Sequence, residues 1–377
     1  MKVLMQIRQN VYTLSGGDTV QMKKTREALI KQGYDVDVSL ELHPDLSQYD
    51  VVHLFNITRV QETYIQIKNA VQQKKPVVIS TIYWPNTEFE KLNGGLGIRG
   101  ALGKVLTIDQ MESVKAFAKF LLLNQRDEGT KYLMHHSYQK MQRYILEHSD
   151  IFLPNAQEEM HQIELNLGYK APDSSIVVVP NAIDTDAVFE ATESSTHKYD
   201  KYKGWLVCVG RIDPRKNQLK LLDALKGSKY KLLLIGKCSS GQKNYFAKVM
   251  KRIEGNPNIE YIEQIPNKEL YQIYKQCKVS VLPSWFETPG LVSLEAASMG
   301  CNIVVSGKGT TKDYFGNYAY YCDVMDPKSI RSQIDKAYSS PFEEDFRKKI
   351  LANYTWDKAA EMTAKGYELA LNGRVEK

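Results

Sequence analysis

Two glutamates stand on either side of a predicted helix start and are separated by seven residues. The apolar run before Glu287 is typical of a buried strand. Thr288 suits the N-cap and Pro289 suits the first helical position, so we expect a helix over residues 289–299 that carries Glu295. The first glutamate would then precede a helix N-terminus, and the second would lie inside the helix.

The start of this helix is a candidate anion site. Backbone N–H groups at a helix N-terminus have no partner within the helix, and they suit a phosphate group. Here they belong to Gly290, Leu291 and Val292. A carboxylate is repelled by a diphosphate, so Glu287 and Glu295 are expected to accept hydrogen bonds from sugar or ribose hydroxyls. Two solvated glutamates, one on a loop and one on a helix face, are the alternative.

Two basic residues follow an earlier predicted strand, at the start of the next helix. Arg211 offers a planar fork for phosphate oxygens, and Lys216 offers a point charge. A basic residue at a helix start opposes the helix dipole, so an anion bound between the two would explain the pair. Together they could stabilise the negative charge that grows on a departing diphosphate. A basic helix start without a ligand is the plainer alternative.

Both motifs resemble those of a known enzyme family. The Glu-x7-Glu run ending at Glu295 and the Gly-Arg-x4-Lys run ending at Lys216 are similar to the signatures of family 4 glycosyltransferases, the retaining enzymes of glycosyl transferases group 1 with the GT-B fold. The resemblance implies a nucleoside-diphosphate sugar as donor, a UDP-sugar favoured, with no cofactor and no essential metal. It implies catalytic roles for Glu287, which contacts the donor sugar, and for Arg211 and Lys216, which hold the diphosphate. Glu295 would bind the ribose.

Two further loops match the family in residue type. In the family, the loop that corresponds to Gly16 and Gly17 touches the donor diphosphate, although any strand-to-helix turn also needs glycines. The glycine-rich loop over 306–313 contains Thr310 and Thr311. These threonines could bond phosphate or sugar, and they could equally be turn residues.

The sequence departs from the family on the acceptor side. Many members carry a histidine after the strand that we predict over residues 76–82, whereas this chain has Tyr83 and Trp84 there. Aromatic faces stack well on sugar rings. Tyr83 and Trp84 are therefore the candidate acceptor-side residues, with an aromatic rim of no special function as the alternative.

Strand and helix patterns alternate along the chain, which predicts parallel sheets covered by helices on both faces. The expected fold class is α/β, as two doubly wound Rossmann-like domains facing across a cleft. We predict an acceptor-side domain over 1–188 and a nucleotide-sugar domain over 189–354. The segment 355–377 should form a helix, and the resemblance to the family implies that this helix packs back on the first domain.

Composition limits the other possibilities. The chain has 377 residues and a formal net charge of +6, which is too weak to indicate nucleic-acid binding. No stretch approaches the ~20 apolar residues of a membrane span. The five cysteines include no C-x-x-C pair, which favours reduced thiols in the cytoplasm. His135-His136 lacks a third ligand at metal spacing, so no metal site is predicted.

One amphipathic stretch remains. Residues 99–123 place lysines beside leucine, valine and phenylalanine, and could meet a membrane surface or a lipid-linked acceptor. A helix that packs on the sheet with its lysines solvated is the alternative. The nearby G-x-G-x-x-G run over 95–100 does not follow a strand directly, so we do not interpret it as a dinucleotide site.

The sequence therefore predicts a retaining glycosyltransferase, located in the cytoplasm or at the inner face of the membrane. Its partners would be a nucleotide sugar and a glycan or lipid-linked acceptor, in surface polysaccharide or glycoconjugate synthesis. A sugar-nucleotide epimerase of the same fold and a catalytically silent nucleotide-sugar-binding subunit are the alternatives.

Overall fold

The computed structural model of the chain describes residues 1–13, 16–85, 89, 109–110, 112–114, 128–239 and 241–375. Most of the amphipathic stretch 99–123 and the whole run 95–100 lie outside the described residues. The chain divides into two compact units, Met1–Pro180 with Trp356–Lys377, and Asn181–Thr355. The boundary that the sequence suggests after residue 188 falls inside a helix of the second unit, Thr185–Glu193.

The first unit is built on a five-stranded parallel sheet of order β2-β1-β3-β4-β5. Its strands are β1 Lys2–Gln6, β2 Asp35–Ser39, β3 Val51–Phe55, β4 Val77–Ser80 and β5 Ile151–Phe152. The helices are α1 Gly17–Lys31, α2 Val60–Gln72, α3 Glu128–His135, α4 Tyr138–Glu147 and α5 Gln157–Leu167. A hydrophobic cluster covers each face of the sheet, which explains why β3 is buried along its whole length, with His53 as its one polar residue.

The second unit is built on a six-stranded parallel sheet of order β11-β10-β9-β6-β7-β8. Its strands are β6 Leu206–Val209, β7 Leu232–Ile235, β8 Ile259–Ile262, β9 Val279–Leu282, β10 Asn302–Ser306 and β11 Ala319–Cys322. The helices are α6 Thr185–Glu193, α7 Gln218–Ala224, α8 Lys243–Ile253, α9 Asn267–Gln276, α10 Leu291–Ser298, α11 Thr311–Phe315, α12 Pro327–Ser339 and α13 Glu344–Asn353. The strand order reverses between β6 and β9, which is where doubly wound sheets bind ligands.

The last helix, α14 Trp356–Val375, packs on the first unit as the sequence predicts. A row of alanines lets it approach the sheet closely, and at Gly366 a Cβ atom would lie 2.7 Å from the Leu153 side chain. The Tyr367 hydroxyl lies 2.8 Å from Nδ1 of the buried His53, whose Nε2 lies 2.9 Å from the Ser80 hydroxyl. Burial lowers the pKa of His53 to about 3, so the imidazole is neutral.

Replacing Tyr367 by phenylalanine is expected to lower the free energy of unfolding by about 1–2 kcal/mol, because a buried ring nitrogen of His53 loses its partner. Urea titration of the whole chain measures the loss. Tyr12→Phe is the matched control, since the Tyr12 side chain is exposed. Equal unfolding midpoints for the two variants would show that the His53 contact does not hold α14 in place.

Candidate functional site

The predicted catalytic residues of the second unit lie beyond the carboxyl ends of its central strands. Lys216 follows β6, Glu287 follows β9, and the glycine-rich loop over 306–311 follows β10. Because β6 and β9 are neighbours at the point where the strand order reverses, their loops meet at one edge of the sheet. This edge is the candidate site.

Lys216 and Glu287 form a buried ion pair. The Lys216 Nζ atom lies 2.5 Å from Glu287 Oε1, and neither side chain exposes more than 11% of its surface. Burial by itself would raise the pKa of Glu287, but the charges of Lys216 and Arg215 outweigh it and lower that pKa. Glu287 is therefore a carboxylate, held in one place before any ligand arrives.

The backbone of Glu287 is clamped by the glycine-rich loop. Its carbonyl accepts a hydrogen bond of 2.9 Å from the Thr310 N–H, and it pairs with Gly309 in an isolated β-bridge. Gly309 has a φ of +90°, and a Cβ atom there would lie 1.9 Å from the Glu287 carbonyl oxygen. Only glycine fits this contact.

The two predicted threonines of this loop are fully buried. The Thr311 hydroxyl donates to the Ser306 carbonyl at 2.7 Å, so it serves the loop itself. The Thr310 hydroxyl has no hydrogen-bond partner in the described part of the chain. Of the pair, Thr310 is therefore the one whose hydroxyl has no hydrogen-bonding role within the loop.

The helix after Glu287 begins later than the sequence predicts. α10 starts at Leu291, and its N-cap is Gly290 with a φ of +88°, so the predicted start at Pro289 with a Thr288 cap is wrong. The physical reason is local: Gly290 takes a left-handed conformation that no helical residue adopts, so the helix begins after it. The N–H groups of Leu291 and Val292 are now the first of the helix, so the predicted anion site remains at its N-terminus.

Glu295 lies in the second turn of α10 and is partly buried. Burial, with a smaller contribution from the Asp184 carboxylate, raises its pKa to about 8. The two glutamates of the motif therefore differ in charge at neutral pH, since Glu287 is ionised and Glu295 is mostly protonated. Sequence spacing carries no information on this difference, because it depends on which cation or anion the fold places beside each carboxyl group.

Arg211 is not part of the Lys216–Glu287 ion pair. Its side chain is 58% exposed, and its Nε atom lies 4.0 Å from Asp213. The Asp213 carboxylate, itself buried, accepts hydrogen bonds from the Lys216 N–H at 3.1 Å and the Ser239 hydroxyl at 2.8 Å. Asp213 thus shapes the short 3-10 turn Pro214–Lys216, which carries the predicted catalytic lysine.

Arg215 is a site residue that the motif spacing passes over. Its guanidinium lies 5.1 Å from the centroid of the Phe286 ring, and its charge contributes to the lowered pKa of Glu287. The only signal in the sequence is its place next to Lys216. A second cation, in addition to Lys216, therefore borders the predicted sugar contact, Glu287.

The loop of Gly16 and Gly17 lies in the first unit, at the start of α1. Gly16 is the N-cap residue of that helix, and its N–H donates to the Thr19 hydroxyl at 3.1 Å. The buried Arg8, which follows β1, bonds both oxygens of Asp18 at 2.6 and 3.0 Å. Burial opposes ionisation of Asp18, but Arg8 lowers its pKa. Arg8, which the sequence analysis overlooked, therefore holds this loop.

Tyr83 does not line a sugar site as predicted. Its ring belongs to the hydrophobic core of the first unit, and burial raises the pKa of its hydroxyl to about 12. The reason is local packing: the Tyr83 N–H is bonded to the buried Glu159, and its ring joins the cluster that also contains Val77 and Ile79. Trp84 is only partly buried, so it remains the acceptor-side candidate.

Glu159, in the first turn of α5, was also missed. It is fully buried, and it accepts hydrogen bonds from the Thr81 hydroxyl, the Tyr83 N–H at 2.7 Å and the Asn155 N–H at 2.9 Å. Burial raises its pKa to about 7, against the opposing effect of these bonds. A buried carboxyl group without a basic partner has no signature in sequence.

Across the described ranges, no three metal-ligating side chains come together. None of the described helices is long and apolar enough to cross a membrane.

The family model described as glycosyl transferases group 1 matches residues 190–354. The candidate site, with Lys216, Glu287 and Glu295, lies wholly inside the matched range.

Relatives and solved structures extend the likeness to the rest of the chain. An uncharacterized glycosyltransferase of Methanocaldococcus jannaschii is 22% identical over 98% of this chain and 99% of its own. The O-antigen chain mannosyltransferase B of Escherichia coli is 24% identical over 53% of this chain, which spans 56% of that protein.

Sucrose-phosphate synthase from Thermosynechococcus elongatus superposes with a TM-score of 0.70 at 14% identity, over 99% of this chain and 100% of that one. HepE of Anabaena, solved with UDP-glucose, superposes with a TM-score of 0.58 at 12% identity, over 100% and 98%. The predicted α/β GT-B fold with two Rossmann-like domains is confirmed. Glycosyl transfer as the activity is supported by the family model and by the names of the relatives.

Proposed function

We propose that the protein is a retaining glycosyltransferase that moves a sugar from a nucleoside-diphosphate sugar to a glycan or lipid-linked acceptor. The observation that carries the proposal is the buried Lys216–Glu287 pair beside the α10 N-terminus, inside a group 1 domain. Lys216 and the N–H groups at the start of α10 would bind the diphosphate there, and the Glu287 carboxylate would bind the sugar. Surface polysaccharide or glycoconjugate synthesis is the proposed context, supported by the O-antigen relative.

The reaction breaks the bond between the anomeric carbon and the diphosphate oxygen, and the electron pair leaves with the diphosphate. Lys216, the exposed Arg211 and the N–H groups of Leu291 and Val292 would stabilise that charge. The acceptor hydroxyl attacks from the face that the diphosphate leaves, and its proton passes to the departing oxygen. Because Glu287 is held by Lys216, we assign it to binding and charge stabilisation of the sugar rather than to covalent attack. No step requires a metal ion.

A UDP-sugar is the favoured donor, supported by the HepE complex with UDP-glucose. Thermal-shift measurements with UDP, GDP, ADP and TDP test the donor class, since a nucleotide at ~100 Kd adds about 2.7 kcal/mol of stability. Product analysis with the matching nucleotide sugar and two alkyl glycosides, octyl α-D-mannoside and octyl β-D-glucoside, then tests transfer. Stabilisation by none of the four nucleotides would overturn the proposed function.

Glu295 makes nucleotide binding depend on pH. If its carboxylate accepts both ribose hydroxyls, binding must release the proton that the free protein holds up to about pH 8. The affinity for UDP should therefore rise about tenfold between pH 7 and 9 and level off above the pKa. Calorimetry in two buffers with different ionisation enthalpies measures the released proton. Glu295→Gln should bind more weakly and without this pH dependence, and a flat profile for the wild type would refute the ribose assignment.

A nucleotide-sugar-binding subunit without catalysis is the second candidate. It is favoured by the burial of Tyr83 at the place where the family carries an acceptor-side histidine. Nucleotide binding without any transfer product, in the wild type as in Glu287→Gln, would establish it. A cytoplasmic location at the inner face of the membrane stays a prediction.

A further inference from the structure

The chain leaves β4 through a short loop, residues 81–85, whose backbone is strained. Ile82 has a φ of +45°, a conformation that β-branched residues rarely adopt. Such outliers persist only where the surroundings hold them, and they concentrate at functional sites. Here the side chains hold the loop from two directions, because Ile82 packs on one hydrophobic cluster of the first unit and Tyr83 belongs to the other.

A buried carboxyl group supplies the third attachment. Glu159 Oε1 accepts from the Thr81 hydroxyl and the Tyr83 N–H, the groups on either side of Ile82. Its Oε2 accepts from the Asn155 N–H, which follows β5. Glu159 therefore joins the ends of two adjacent strands and spans the strained residue.

We propose that Glu159 is the positioning residue of this loop, and that the loop presents Trp84 to the acceptor of the glycosyl transfer. Trp84 follows Ile82 and Tyr83, whose side chains pack in the two hydrophobic clusters. It is partly exposed and lies beyond the carboxyl end of β4. Doubly wound domains bind ligands at this edge of the sheet. An indole face suits the apolar face of a sugar ring. The inference rests on the proposed function.

The first test is hydrogen exchange on the whole chain. Glu159→Gln replaces one acceptor oxygen by an amide that cannot accept, so exchange in the peptide that covers residues 78–85 should accelerate at least tenfold. Thr81→Val should accelerate it in the same direction, and Thr81→Ser, which keeps the hydroxyl, should not. Glu164→Gln is the matched control, because Glu164 is exposed on the same helix. Unchanged exchange in Glu159→Gln would overturn the positioning role.

The second test separates positioning from general damage. With the alkyl glycoside that the product analysis identifies, Glu159→Gln and Trp84→Ala should raise the acceptor KM at least fivefold and leave the donor KM within twofold. UDP should protect the α10 peptide equally in wild type and Glu159→Gln. Two results would refute this inference and leave the proposed function intact. One is an equal change in the acceptor and donor KM values, and the other is a normal acceptor KM in Glu159→Gln although its loop exchanges faster. Nucleotide binding without any glycosyl transfer would remove the proposed function and this inference with it.

Discussion

Replacing Lys216 by methionine is expected to lower both stability and turnover. The variant leaves the Glu287 carboxylate buried without its cation, and removal of one partner from a buried pair typically costs 3–5 kcal/mol. We expect the second unit to lose about 3 kcal/mol, read from hydrogen exchange of the buried strand β9. Transfer should fall about 10²–10³-fold, because the charge on the departing diphosphate loses a fixed donor.

The double variant Lys216→Met/Glu287→Gln separates the two effects. With the buried charge also removed, most of the lost stability should return, since a neutral pair carries no unpaired ion. Turnover should stay low, because neither the cation nor the carboxylate is restored. Recovery of transfer in the double variant would show that the ion pair serves only the fold.

Replacing Gly309 by alanine is expected to displace the loop that carries Glu287. The new Cβ atom would lie 1.9 Å from the Glu287 carbonyl oxygen and 2.7 Å from its N atom, distances that the backbone cannot accept without moving. Left-handed backbone strain adds about 1–2 kcal/mol. We expect a total loss of about 3 kcal/mol in the second unit and a fall in transfer of at least about tenfold.

Gly255→Ala is the matched control for this prediction. Gly255 also has a positive φ, +70°, but a Cβ atom there would meet nothing within 4 Å. It should therefore show the strain of about 1–2 kcal/mol and keep full transfer activity. If the two variants behave alike in both measurements, the contact between Gly309 and Glu287 has no part in catalysis.

The position of Glu287 depends on residues outside its own motif. Glu287 is held through its side chain by Lys216 and through its backbone by Gly309 and Thr310. Its loop therefore depends on residues that follow β6 and β10 as well as on β9. A change in any of the three loops should affect the position of the same carboxylate.

The sequence by itself determined the fold class, the last helix, and the residues of the glutamate and basic motifs. It could do so because strand and helix periodicity, glycines and motif spacing are local properties of the chain. It also placed Lys216 and Glu287 after two separate buried strands of one domain, and the ends of parallel strands lie at one edge of their sheet.

Only the tertiary structure decided which of these residues touch and which charge each one carries. Burial disfavours the charge of both glutamates, but the cations Lys216 and Arg215 offset it at Glu287, whereas at Glu295 burial, with a smaller contribution from Asp184, raises the pKa. These neighbours come from distant parts of the chain. The same holds for the start of α10, where a left-handed glycine overrides favourable capping residues. The sequence did not indicate Glu159, and its prediction for Tyr83 was wrong, because burial, which sets the cost of a charge and the direction of a ring, is a property of the packed molecule.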